Sequence, residues 1–140
     1  MRIAGGIIAG VVAAFLCIIL VELAGRSIFP PPPGLDPMNP ADQPQIMAQL
    51  PAAAFATVAL AWGIGAFAGA WIATRIARRL AAGWVVTLLI LAACIANLVM
   101  IPHPTWMWAA GTVLPLVGGW LGSRFGINAE ASAAAVDNRG

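Results

Sequence analysis

The chain has 140 residues, of which 61% are hydrophobic and only 9% are charged. Soluble domains carry about 25% charged residues, so this composition excludes a soluble globular protein and predicts one small membrane domain. The formal net charge of +2 offers no basic face for nucleic acid, and the absence of lysine excludes a Schiff-base or P-loop lysine.

Four long apolar segments predict four membrane-crossing helices, because a bilayer core takes about 20 apolar residues in helical form. We therefore predict an all-α integral membrane bundle of four transmembrane helices, forming a single domain over residues 1–140. The first helix is expected to stay uncleaved, since its apolar run is too long for a signal peptide and lacks a small-x-small site. The helices are predicted at residues 3–25, 51–74, 83–101 and 105–122, followed by a flexible tail over residues 123–140.

A proline-rich loop joins the first two helices. Four successive prolines at residues 30–33 favour polyproline II and exclude a helix interior. Asp42 is predicted to cap a short interfacial helix over residues 43–50, with Pro44 in its first turn. We interpret the proline run as a stiff spacer over the bundle, with a peptide-recognition segment as the alternative.

Arginines near the helix ends predict the orientation. Cytoplasmic loops are enriched in basic residues, and a basic turn at residues 75–79 separates the second and third helices. Both termini are therefore predicted to be cytoplasmic in a bacterial inner membrane, with the proline-rich loop outside. The arginines placed inside by this orientation are Arg2, Arg75, Arg78, Arg79, Arg124 and Arg139.

Small residues four apart predict close helix packing. In lipid, helices associate through small residues that let their backbones approach. Such pairs occur at Gly6 and Gly10, Gly65 and Gly69, and Gly118 and Gly122. These stripes either complete the bundle or leave one face for a second copy.

Glu22 is the acidic residue that lies inside a predicted membrane segment, where a carboxylate is costly and is a candidate functional group. Arg26 lies one turn later on the same face, so one interpretation is a paired charge at the membrane interface. The other is a polar site that opens to the outer face and takes a cation, a proton or a small polar ligand. The candidate ligand-binding residues, placed at similar depth, are Glu22, Arg26, Thr57, Asn97, His103 and Thr112.

Metal binding and catalysis have no support among these candidates. A single glutamate and a single histidine are too few for a metal site, and no serine is paired with the histidine at a readable spacing. We therefore expect neither a metal site nor an enzyme, and the sequence does not identify a cofactor. Trp62, which lies deeper in the second helix, is expected to pack between helices or against lipid.

Three segments carry a resemblance: Glu22-Leu23-Ala24-Gly25, Pro30-Pro31-Pro32-Pro33-Gly34-Leu35-Asp36 and Ile101-Pro102-His103-Pro104-Thr105-Trp106. Together they resemble a group of small four-helix proteins of bacterial inner membranes, and the likeness covers nearly the whole chain. The resemblance implies a fold and a location, but that group has no established activity to transfer to these residues.

From these observations we expect a non-enzymatic integral membrane protein. Its expected role is an accessory or structural subunit that packs in a larger membrane complex or a homo-oligomer. The alternative is a small oligomeric transporter or channel that uses Glu22 near the outer face. The expected partners are the lipid bilayer and other membrane subunits or copies of the same chain, with no nucleic acid.

Overall fold

The computed structural model describes the backbone of residues 1–137 and the side chains of residues 1–128. Within this range the protein is built from helices alone, which confirms the all-α prediction. The helices are α1 (Arg2–Ile28), α2 (Gln43–Gln49), α3 (Ala52–Ala77), α4 (Leu80–Met100) and α5 (Trp106–Asp137).

The prediction of a four-transmembrane-helix bundle is wrong. The described residues form five helices, and three of them, α1, α3 and α4, are long and apolar enough to cross a membrane. Helix α2 is too short, and α5 is less apolar because tryptophan, glycine and Pro115 dilute its aliphatic residues. The predicted orientation, with both termini in the cytoplasm, assumed four membrane spans, and three candidate spans do not support it.

Helix α5 also runs further than predicted. It extends to Asp137, so residues 123–137 are helical where a flexible tail was expected. This stretch is rich in alanine, which has the highest helix propensity of the residues and extends a helix without an apolar signal. Residues 138–140 of the predicted tail lie outside the described part of the chain.

Helix α1 packs antiparallel against α3, and glycines let the backbones of the two helices approach closely. A Cβ atom built on Gly10 would lie 2.5 Å from the carbonyl oxygen of Gly69 and 2.8 Å from the Cβ of Ala73. One turn earlier, a Cβ on Gly6 would lie 2.8 Å from the Ala73 carbonyl oxygen. The glycines therefore set the interhelical distance, because any side chain there would push the helices apart.

Helix α5 packs parallel to α3 on another side and also contacts α4. Gly118 lies against the backbone of Gly63, and Gly122 lies one turn further along against the backbone of Phe67. Helix α3 thus lies between α1 and α5. Its buried face is mostly small, with Ala61, Ala66 and Ala70 fully buried.

The two ends of the bundle differ in chemistry. At the arginine end, α3 reverses into α4 through Arg78, whose φ of 55° is left-handed and so turns the chain within two residues. At the opposite end, the loop end, residues 29–51 cover the last turns of α1 and α4 and the first turns of α3. The exposed apolar side chains of α1 and α4 between these ends suit contact with lipid.

A candidate ligand cavity at the loop end

A cavity of about 200 Å³ lies at the loop end of the bundle. Its walls come from the last turns of α1 and α4, the first two turns of α3, the proline-rich loop and α2. The helix directions explain this convergence, because α1 and α4 run toward the loop end whereas α3 starts there. The polar residues that line it are Glu22, Arg26, Gln43, Thr57, Asn97 and His103.

Five of the six sequence-predicted candidates line this cavity: Glu22, Arg26, Thr57, Asn97 and His103. The sixth, Thr112, does not. Its hydroxyl donates a 2.8 Å hydrogen bond to the carbonyl oxygen of Trp108 in its own helix. The structure brings the five together, and their role in binding a ligand stays a prediction.

Glu22 is half-buried and lies near two groups that can interact with its carboxylate, the guanidinium of Arg26 and the indole of Trp62. Trp62 is only 4% exposed, so it lies between the helices, the first of its two expected places. Sequence reasoning missed its polar role, although a buried indole N–H usually needs an acceptor.

His103 fastens the turn between α4 and α5 to the cavity wall. Its Nδ1 lies 2.8 Å from the carbonyl oxygen of Ile101, and because a carbonyl can only accept, Nδ1 carries the hydrogen. The imidazole ring packs edge-on against two aromatic rings of α3. Its centroid lies 6.1 Å from that of Phe55 and 6.3 Å from that of Trp62.

Several polar groups of the cavity have spare hydrogen-bonding capacity. The half-buried side chain of Asn97 has no hydrogen-bond partner among the described residues. The Thr57 hydroxyl donates to the carbonyl oxygen of Ala53 at 3.0 Å and keeps its acceptor sites. The rest of the wall is largely apolar and includes Phe55, Ile46 and Val58. Few polar groups in an apolar cavity are typical of a small-molecule site.

The cover over the cavity is held by hydrogen bonds within the loop. The side-chain nitrogen of Gln43 donates to the carbonyl oxygen of Pro37 at 2.6 Å, and a carboxylate oxygen of Asp42 accepts from the backbone N–H of Asp36 at 3.0 Å. Asp42 precedes α2 as predicted, but its side chain does not cap the helix because it is engaged with Asp36.

Helix α2 contributes Ile46 and Met47 to the cavity wall, with Ile46 buried. Sequence reasoning missed Gln43, Met47 and the loop prolines as lining residues. The short interfacial helix was predicted, but no signal in the sequence shows on which part of the bundle it folds back.

Among the described residues, no group of three histidine, cysteine or acidic side chains is arranged to hold a metal ion. No protein-family model, curated protein or solved structure matches the chain.

Proposed function

We propose that the protein is an integral protein of a bacterial inner membrane that binds a small molecule in the cavity at the loop end. The observation that carries this proposal is the convergence of Glu22, Arg26 and Asn97, with spare hydrogen-bonding capacity, on one cavity of about 200 Å³. None of the three side chains is fully buried, so a ligand can reach them. Polar groups with spare donors or acceptors that face a common space favour an occupant that pairs with them.

The proposed orientation places the cavity on the outer side of the membrane. Exposed Arg75 and Arg79 at the arginine end favour a cytoplasmic location for that end, because basic residues concentrate on the cytoplasmic side. Helix α1 begins at the same end with Arg2. The loop end, with Asp36 and Asp42 in its cover, then faces outward.

Binding is favoured over conduction by the core beneath the cavity. Between the cavity and the arginine end, the described core is close-packed, with Ala14, Ala66, Val86 and Ile90 at most 1% exposed. Its buried polar side chains are the hydroxyl-bearing Thr74, Thr87 and Ser123, and none of them is charged. The contact of Gly10 with Gly69 closes the space between α1 and α3. Such a core supports a subunit that captures a molecule at the outer face, as an accessory component would, more than a channel.

The proposal is tested by the molecules that co-purify with the protein. Ala54 lines the cavity, whereas the neighbouring Ala53 is exposed, so Ala54→Phe fills the cavity and Ala53→Phe is the matched control. Each variant is extracted from its own membrane in mild detergent, and the bound molecules are quantified by mass spectrometry after denaturation.

We expect the wild type and Ala53→Phe to retain one small molecule near equimolar ratio and Ala54→Phe to lose it. Equal retention by the two phenylalanine variants, or a wild type that carries no molecule above the bulk lipid background, would contradict the proposed function.

A further inference from the structure

The cavity presents two opposite charges in a fixed order. Glu22 and Arg26 lie four residues apart on α1, so they share a helix face, and both line the cavity. Glu22 is half-buried, whereas Arg26, one turn nearer the loop, is exposed. The negative charge is therefore the more buried one, and the positive charge is the more exposed one.

The two charges do not neutralise each other by a close contact. Within the described residues Arg26 forms no hydrogen-bonded ion pair with Glu22, and its influence on the carboxylate is Coulombic. The guanidinium keeps a planar set of donors that suits a phosphate or a carboxylate. A simple cation would leave the Arg26 guanidinium without an opposite charge from the ligand, and a simple anion would leave the Glu22 carboxylate without one.

The cavity lining also contains hydrogen-bond acceptors. Besides the Glu22 carboxylate, it includes the amide oxygen of Asn97 and the hydroxyl oxygen of Thr57. A primary ammonium group has three donors and no acceptor, which complements this set. A quaternary ammonium has no N–H donor and would leave the acceptors unpaired.

The volume limits the size of the polar group that fits. Sites for drug-sized ligands span about 300–1,000 Å³, so a cavity of about 200 Å³ takes a headgroup-sized fragment. Phe29, Ile46 and Met47 add an apolar part to the lining, which suits a hydrocarbon attached to the ligand's polar group.

We propose that the ligand carries a primary ammonium group a few bonds from an anionic group, with the ammonium bound at Glu22 and the anion at Arg26. This inference relies on the proposed binding function and names the class of its ligand. The chemistry occurs in the headgroup of an aminophospholipid and in soluble molecules such as phosphoethanolamine, and the experiment separates these two sources.

The test compares three probes with delipidated protein in detergent. They are short-chain phosphatidylethanolamine, phosphatidylglycerol of the same chain length, which has the phosphate without the amine, and soluble phosphoethanolamine. Affinity is measured from the saturable rise in unfolding temperature. The variants are Glu22→Gln and Arg26→Gln, and Arg2→Gln, at the other end of α1, is the control.

We expect wild type to bind a probe with the amine more tightly than phosphatidylglycerol, by roughly tenfold or more, because a hydrogen bond to a charged group supplies that difference. Glu22→Gln should remove the preference, Arg26→Gln should weaken binding of every probe, and Arg2→Gln should change nothing. Tight binding of phosphoethanolamine alone would identify a soluble ligand, and binding that needs the acyl chains would identify a lipid.

Equal affinity of wild type for the two lipids, or a preference that survives Glu22→Gln, would overturn the inference. So would a protein that binds none of the probes. In each case, a molecule retained by Ala53→Phe and lost by Ala54→Phe would still support the proposed function, so the two failures are distinguishable.

Discussion

Buried hydroxyl groups in this protein differ in whether they are paired. The hydroxyls of Thr74 and Ser123 are buried near the arginine end and have no hydrogen-bond partner among the described residues. Thr87 is equally buried, but its hydroxyl donates a 2.8 Å hydrogen bond to the carbonyl oxygen of Gly83. Because a buried polar group without a partner is costly, Thr74 should contribute less to stability than Thr87.

Replacement of each threonine by valine, which has nearly the same shape, tests this difference. We expect Thr87→Val to lower the free energy of unfolding by about 1 kcal/mol, since it removes a satisfied hydrogen bond. Thr74→Val should leave the free energy of unfolding unchanged or raise it. Unfolding in mixed micelles measures both, and a loss at Thr74 as large as that at Thr87 would show that the Thr74 hydroxyl is paired.

The spacing of small residues on the helices predicted close packing, and the contacts show which stripes meet. Gly10 lies against Gly69, so two of the predicted pairs face each other across α1 and α3. The sequence alone did not determine these partners, because the same spacing on α5 was an equal candidate. The third pair, Gly118 and Gly122, meets the backbone of α3 at Gly63 and Phe67 instead.

Gly10→Ala should destabilise the protein, because the new Cβ would lie 2.5 Å from the Gly69 carbonyl oxygen and force α1 away from α3. Overpacking of this kind costs about 1–3 kcal/mol. Gly5→Ala is the control on the same helix, since a Cβ there has nothing within 4 Å. We expect no loss of thermal stability for Gly5→Ala in detergent, and equal effects of the two substitutions would contradict the observed α1–α3 contact.

The ends of the helices were predictable where a chemical signal marks them. A proline precedes α3 and arginines mark its far end, so the predicted bounds lie close to the observed ones. The predicted helix began one residue early and ended three residues early. The end of α5 was not predictable from hydropathy, since its alanine-rich extension is helical without being apolar. The predicted number of spans was wrong because α5 was counted as a span on its length alone. Its tryptophans, glycines and Pro115 lower its mean hydropathy below that of α1, α3 and α4.

At the scale of the whole molecule, the depth of each polar residue in the predicted bundle was enough to identify most of the polar residues that line the cavity. Alternating helix directions place Glu22, Thr57 and Asn97 at one level, and these residues do line one space. The same argument failed for Thr112, because depth does not determine which way a side chain points and its own helix offers an acceptor. The cover escaped prediction, since the path of a proline-rich loop depends on contacts such as Gln43 with Pro37.

The central claim is a ligand cavity that opens on the outer side of the membrane, and cysteine labelling tests it most directly. Thr57→Cys places a thiol in the cavity wall, and Ala81→Cys places one on the exposed surface at the arginine end. Both are made in a chain with Cys17→Ser and Cys94→Ala, and labelled with a membrane-impermeant maleimide in spheroplasts.

We expect Thr57→Cys to react in intact spheroplasts, more slowly when Ala54→Phe fills the cavity, and Ala81→Cys to react only after permeabilisation. Labelling of Ala81→Cys from outside, with Thr57→Cys protected until permeabilisation, would show that the protein has the opposite orientation in the membrane. A Thr57→Cys thiol that reacts on neither side would contradict an open cavity.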